Sequence, residues 1–311
     1  MTATDPTTPE ALGAQAQELM LMQRAEEAEA LILEGLRRFP GHAELQSWLP
    51  FALLMQGRWR DGFREYETRA PRQALLARRM GIPEWDGPVA GRSILVWCEQ
   101  GIGDEIQTVR FVRDLRERGA RRIYLACRAV NARAFQQLDV DLVVDRGAKA
   151  FEVPAVDCWV KTWSIPHRLG LDVADISGRP YLAAEPTRRG GVGLVERGNP
   201  ANPRDEHRSM PAGLLQAAVP HGELLTPTGD TLDSLGRLAG LDLLITVDTS
   251  WAHMAGALGI PCWILLPYRD LDWRWLRERS DTPWYDSVRL FRQPRPGDWA
   301  SVLADVRAAL A

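Results

Sequence analysis

"WCEQGIGDEIQTVRF", Trp97 to Phe111, follows the apolar run "RSILVWCE" (92–99) and leads into an amphipathic one. It reads as a strand, a glycine turn and a helix, the opening unit of an α/β fold. Over "EIQTVRFVRDLRERG" the helix places Ile106, Val109, Val112 and Leu115 on one face and its arginines mostly elsewhere. Gly101 and Gly103 raise the question of a dinucleotide cradle, but the third glycine of that fingerprint is here Ile106. Asp104 and Glu105 sit where phosphates would meet the helix N-terminus, and two carboxylates there repel a pyrophosphate. Two readings remain: Asp104 caps the helix, or the glycines expose Asp104 and Glu105 for chemistry.

Outward from this turn, "RRIYLACR" (121–128), "VDLVVDRG" (140–147) and "AVDCWVK" (155–161) continue a first parallel sheet. The polar, Pro- and Gly-punctuated "LAAEPTRRG" (182–190) reads as a linker. A second set of strands follows at "GGVGLVER" (190–197), "GELLTP" (222–227), "LDLLITVD" (241–248) and "PCWILLP" (261–267), with a helix over "SWAHMAGALG". Two Rossmann-like halves, 83–185 and 186–311, then face each other across a cleft, and open parallel sheets bind ligands at the carboxyl ends of their strands.

Before them, in residues 1–82, "QELMLMQRAEEAEALI" (17–32) aligns with "FALLMQGRWRDGFREY" (51–66) at an offset of 34 residues. Ala28 pairs with Gly62 and Ile32 with Tyr66, as in helix-turn-helix tetratricopeptide units. Two units are fewer than a free-standing array needs, so the segment is expected to lean on the next domain.

The 311 residues are 45% hydrophobic and 25% charged, with a net charge of -3 and a pI near 6.0, which supplies no basic field for a nucleic acid partner. "MTATDPTTPEALG" has no basic segment followed by an apolar core, and no apolar run reaches the roughly 18 residues of a membrane span. A cytoplasmic protein is expected. Cys98, Cys127, Cys158 and Cys262 are widely separated, without zinc-site spacing, and read as reduced core residues.

In "TVDTSWAHMAGALGIP" (246–261) a strand ends at Asp248, and Thr249-Ser250 start a helix whose free N–H groups and positive dipole suit a diphosphate. His253 sits one turn in; a well-capped helix with a satisfied histidine is the alternative. "ERGNPANPRDEHRSMP" (196–211) carries Arg197, Arg204, His207 and Arg208 toward the same strand ends, either as an anion-binding loop or as solvated surface. The Trp-rich "DWRWLRERSDTPWYDSVRLFRQPRPGDW" (272–299) reads as core and interdomain packing ahead of a stacking platform.

Together, "GRWRDGFREYETR", "EQGIGDEIQTVRF", "RPYLAA", "GNPANPRDEHRS", "DTLDSLGRLAGLDLLITVDTSWAHMAGALG" and the Trp-rich stretch resemble bacterial tetratricopeptide-repeat proteins ending in a domain like that of the lipopolysaccharide heptosyltransferases, glycosyltransferase family nine. The resemblance spans nearly the whole chain. It implies a GT-B arrangement with an acceptor half and a donor half, and sugar transfer with inversion and no required metal or other cofactor. On the matching positions it implies Asp104 as general base within the acceptor-side turn Gly101, Gly103 and Glu105. It implies donor-phosphate contacts from Arg208, Asp248, Thr249 and Ser250, with His253 nearby. The implied partners are a nucleotide-sugar and a glycan or protein hydroxyl acceptor, with a polypeptide on the helical repeats. Glu196-Arg197 precede the Gly-Asn-Pro, and "GELLTPTGD" runs almost directly into "TLDSLGRLAGLDLL", so the donor half is trimmed relative to that family. The alternative is a non-catalytic interaction protein built on a degenerate glycosyltransferase domain.

Overall fold

The computed structural model describes residues 8–69, 81–148, 152 and 154–311. The opening "MTATDPT" and the end of the helical region, residues 70–80, lie outside them.

Four helices come first: α1 (Pro9–Leu21), α2 (Ala25–Arg38), α3 (Ala43–Met55) and α4 (Trp59–Glu65). α3 starts and ends 34 residues after α1, and α4 starts 34 residues after α2. The turns repeat as well. Gln23 and Gly57 both adopt positive φ, 61° and 76°, and the N–H groups of Arg24 and Arg58 donate to the Leu19 and Leu53 carbonyls at 2.8 and 3.1 Å. Ala28 is fully buried on α2; at the equivalent Gly62 a Cβ would lie 2.6 Å from Leu54 Cγ, so only a residue without one lets α4 settle on α3.

The first sheet comprises β1 (Ser93–Trp97), β2 (Arg122–Cys127), β3 (Leu142–Asp145) and β4 (Cys158–Lys161), in the order β3-β2-β1-β4. The second comprises β5 (Val192–Val195), β6 (Glu223–Leu224), β7 (Leu243–Val247), β8 (Cys262–Leu266) and β9 (Val288–Arg292), in the order β6-β5-β7-β8-β9. Both are parallel throughout, and the buried apolar runs of β1 and β7 are what helices on both faces require. The four cysteines are buried and form no disulfide.

Two elements depart from expectation. β9 lies inside the Trp-rich stretch, whose tryptophans mask a short edge strand at "VRLFR". The helix after the glycine turn is two, α5 (Ile102–Thr108) and α6 (Phe111–Glu117), although Ile106, Val109, Val112 and Leu115 are all buried. At the break the Gln107 carbonyl accepts from the guanidinium of buried Arg110 at 2.9 Å, and the same group donates to the Ser177 and Trp284 carbonyls at 3.0 and 2.7 Å. The chain gives up helical continuity to pin the two halves together.

A single aromatic cluster joins all three parts. Trp59 and Phe63 of α4 meet Trp163, which follows β4, and Trp273 and Trp284 from the last stretch. Trp59 stacks on Trp284 at 4.9 Å between centroids, and Trp163 meets Trp273 edge-on at 5.6 Å. Burying one such side chain contributes about 1.5–3 kcal/mol, so the two-unit helical segment does lean on its neighbour, and the Trp-rich stretch is mainly packing. Glu18 with Arg269 (2.7 Å), Glu26 with Arg277, and the Asp270 N–H on the Leu21 carbonyl (2.9 Å) rim the junction.

Candidate active site at the cleft between the sheets

The carboxyl ends of β1, β5, β7 and β8 open into one cavity of about 710 Å³, closed on a further side by α1 and α3. The turn after β1 supplies Gly101, Gly103 and Asp104; the loop after β5 supplies Asn199, Asn202, Arg204 and Arg208; Asp248, Thr249, Ser250 and His253 follow β7. The fold therefore gathers on one surface every candidate site residue but Glu105, while Arg197 and His207 of the loop after β5 do not line it.

Glu105 is the exception. It is fully buried and points away, accepting from the Arg128 N–H (3.0 Å), Asn131 Nδ2 (2.8 Å) and Arg146 Nε (2.8 Å). A carboxylate so partnered braces the turns after β2 and β3 and presents nothing to an acceptor.

Asp104 both caps and faces the cleft. Its Oδ2 accepts the Gly101 N–H at 2.9 Å, while Oδ1 accepts Arg274 Nη2 at 2.5 Å. Gly103 has a different purpose from clearing room for an acceptor: a Cβ there would lie 2.7 Å from His253 Cδ2 and 3.3 Å from Ser250 Cα. The two halves touch at this glycine.

Arg208 is held by Asp205 (Nε to Oδ1, 3.0 Å) and donates to the Asp248 carbonyl at 2.8 Å, which aims it at the start of the helix Ser250–Leu258. Gly198 makes that possible, because a Cβ there would fall 2.0 Å from Asp205 Oδ1 and 2.8 Å from Arg208 Nη2. Thr249 caps the helix, accepting the Trp251 N–H at 3.3 Å. Glu196 directs no charge at the site, since its carboxylate accepts the Gly213 and Leu215 N–H groups at 2.7 and 3.2 Å.

Burial, followed by the neighbouring Asp272 carboxylate, raises the Asp248 pKa to about 7. Burial and then the Arg274 charge lower that of His253 to about 3, so its imidazole is neutral at neutral pH. His253 Nδ1 is 2.8 Å from the Tyr285 hydroxyl and its ring stacks on Trp275 at 5.6 Å. The histidine reaches the cavity wall without adding a positive charge to it.

The sequence reading missed Arg274 and Asp272. Arg274 is buried, donates Nε to Gln107 Oε1 (2.6 Å) and Nη1 to both Asp272 oxygens (2.9 Å each), and lies over the Trp163 and Trp273 rings at 4.8 and 4.7 Å. The only sign in the sequence was a charge pair alternating with tryptophan in "DWRW". Trp48, Phe51 and Tyr66 of the helical segment also line the cavity, and Tyr66 and Gln100 are joined at 2.5 Å. Among the described residues no group of three or more His, Cys, Asp or Glu side chains could hold a metal ion, and no helix is long and apolar enough to cross a membrane.

The chain is thus an α/β protein with two parallel sheets whose strand ends share one charged cavity. No known protein-family profile matches it. It is 23% identical over 351 aligned positions to protein FlbA of Caulobacter vibrioides, covering 91% of this chain and 58% of the relative, so it spans somewhat over half the length of that protein. Solved structures with a partial likeness include the E. coli heptosyltransferase WaaC with ADP-2-deoxy-2-fluoro heptose (TM-score 0.47, 12% identity, 70% of this chain and 100% of that one). A glycosyltransferase family 9 protein of Veillonella parvula gives a TM-score of 0.46 at 12% identity, covering 72% of this chain and 90% of its own.

Proposed function

We propose that the chain is an inverting glycosyltransferase of GT-B arrangement, with a tetratricopeptide-like helical segment at its front. It would move a sugar from a nucleotide-sugar to a glycan or protein hydroxyl. One observation carries this: Asp104 from one half and Arg208, Asp248, Thr249 and Ser250 from the other line a single cavity. An acceptor hydroxyl beside Asp104 loses its proton to the carboxylate as its oxygen attacks the anomeric carbon. The departing nucleoside diphosphate gathers negative charge near Arg208 and the N-terminus of the helix Ser250–Leu258. That charge is larger in the transition state than in the ground state, so the attraction accelerates the step. Positive charge already present at this spot supports departure without a metal ion. Asp104→Asn, which keeps the cap but cannot take the proton, is expected to lower transfer at least about 100-fold, measured as nucleotide released from a panel of nucleotide-sugars. Undiminished turnover refutes the assignment of the base.

One observation favours the alternative of a non-catalytic interaction protein whose helical repeats bind a polypeptide. Both Asp104 oxygens are engaged, one by a guanidinium. Absence of any thermal shift with UDP, GDP, ADP or TDP would select it, because a ligand at 100 times its dissociation constant adds about 2.7 kcal/mol.

A further inference from the structure

We propose that Arg274 couples occupancy of the diphosphate site to release of Asp104, so that the base becomes available only once the donor is in place. This rests on the glycosyltransferase reading above. The contacts of Arg274 are unequal. Asp272 is two residues away on the same loop and holds Nη1 through both oxygens; Gln107 fixes Nε; Trp163 and Trp273 fix the plane of the guanidinium. Asp104 comes from the opposite half and touches Nη2 alone. Leaving Asp104 therefore costs Arg274 one contact, and the Asp272 carboxylate still balances its charge.

With Nε, Nη1 and the guanidinium plane held, Nη2 stays in place; Asp104 is the group that moves away and the diphosphate the group that comes to Nη2. Arg274 lines the same cavity as Arg208, Asp248 and Ser250, and its charge is felt at both Asp248 and His253, which flank the diphosphate site. It therefore touches the proposed base and lines the same cavity as the residues proposed to hold the phosphates. A diphosphate carries more negative charge than one carboxylate and displaces Asp104 from Nη2, the one guanidinium nitrogen that neither Gln107 nor Asp272 holds. Without donor, Asp104 has Oδ1 on Arg274 and Oδ2 on the Gly101 N–H. With donor, Oδ1 is free to take the acceptor proton. Arg274 is then a positioning residue for the base and a ligand of the leaving group, and donor binding precedes proton transfer.

The experiment is a double-mutant cycle on nucleotide affinity, read by calorimetry with the tightest of UDP, GDP, ADP and TDP and with pyrophosphate. Asp104→Asn removes the competitor and is expected to tighten binding at least about fivefold, the lower end of ordinary coupling between sites. Arg274→Lys, which keeps the charge and loses the fork, weakens binding and abolishes the gain from Asp104→Asn. A merely structural role for Arg274 would leave that gain intact. An unchanged or weaker affinity in Asp104→Asn overturns the coupling, as does an equal gain in the Arg274→Lys background, which would mark general removal of negative charge. Should Arg274→Lys fail to fold, Arg274→Gln takes its place in the cycle, and loss of the Asp104→Asn gain in that background supports the coupling while an equal gain overturns it. Failure of every diphosphate to bind either the wild type or Asp104→Asn sinks the transferase and the coupling together. Binding that Asp104→Asn leaves unchanged sinks the coupling only, whereas tighter binding in Asp104→Asn with no sugar transfer by the wild type refutes the transferase and leaves only a competition between Asp104 and the diphosphate for Arg274.

Discussion

Gly103→Ala tests how the cleft closes. The added carbon would sit 2.7 Å from His253 Cδ2 and 3.3 Å from Ser250 Cα, against the 3.5–4.0 Å of a relaxed carbon contact. His253 cannot swing aside, because it is buried, joined to Tyr285 at 2.8 Å and stacked on Trp275. The two halves must then part by somewhat under about 1 Å at this point. Overpacking of this kind costs about 1–3 kcal/mol, and Ala in place of Gly returns at most about 1 kcal/mol of helix propensity. The net loss is about 1–2 kcal/mol, a Tm lowered by roughly 2–8 °C on the scale of large domains. Misplacing the groups proposed for catalysis by such a distance is expected to lower turnover by up to about 100-fold. The control is Gly101→Ala, whose Cβ meets only the Asp104 carboxylate, at 3.1 Å. Thermal melts and nucleotide-release assays on both variants give the answer. A Gly103→Ala protein as stable as wild type, with Gly101→Ala the costlier change, refutes closure through this contact.

Gly256→Ala should be more damaging, by about 3 kcal/mol or more, since its Cβ would fall 2.2 Å from the ring of buried Tyr285, the partner of His253; denaturant titration reads it directly. Asp248 and His253 oppose one another in pH dependence. Burial raises Asp248 to about 7, so the folded state binds the extra proton and stability attributable to Asp248 falls as pH rises from about 4 to about 7. Burial lowers His253 to about 3, so its contribution is lost as pH falls from about 6.5 toward 3. Asp248→Asn should therefore gain stability relative to wild type at pH 7.5 compared with pH 5; equal differences at the two values count against a raised carboxyl.

Much of the framework was legible because it rests on local periodicity. The parallel β-α-β pattern, the 34-residue repeat and the buried face of Ile106, Val109, Val112 and Leu115 need only apolar spacing to be read. The interrupted helix was not legible, since Arg110 breaks it by reaching carbonyls 67 and 174 residues away. The candidate site was legible in part. Asp104, Arg208 and the Asp248-Thr249-Ser250 turn announced themselves as polar groups at strand ends, and they do share one cavity.

By itself, then, the sequence determined which residues stand at the strand ends and which helices could begin there, because capping and side-chain alternation are settled within a few residues. Tertiary structure alone decided which way the carboxylates turn. Glu105 is adjacent to Asp104 yet faces inward to Arg146, while Asp104 meets Arg274 across the cleft, 170 positions later in the chain. Gly103 looked like clearance for a substrate and is instead one of the points where the two halves meet. Charge pairing and close packing act over a few ångströms in space, and only the folded chain fixes which distant side chains come within that reach.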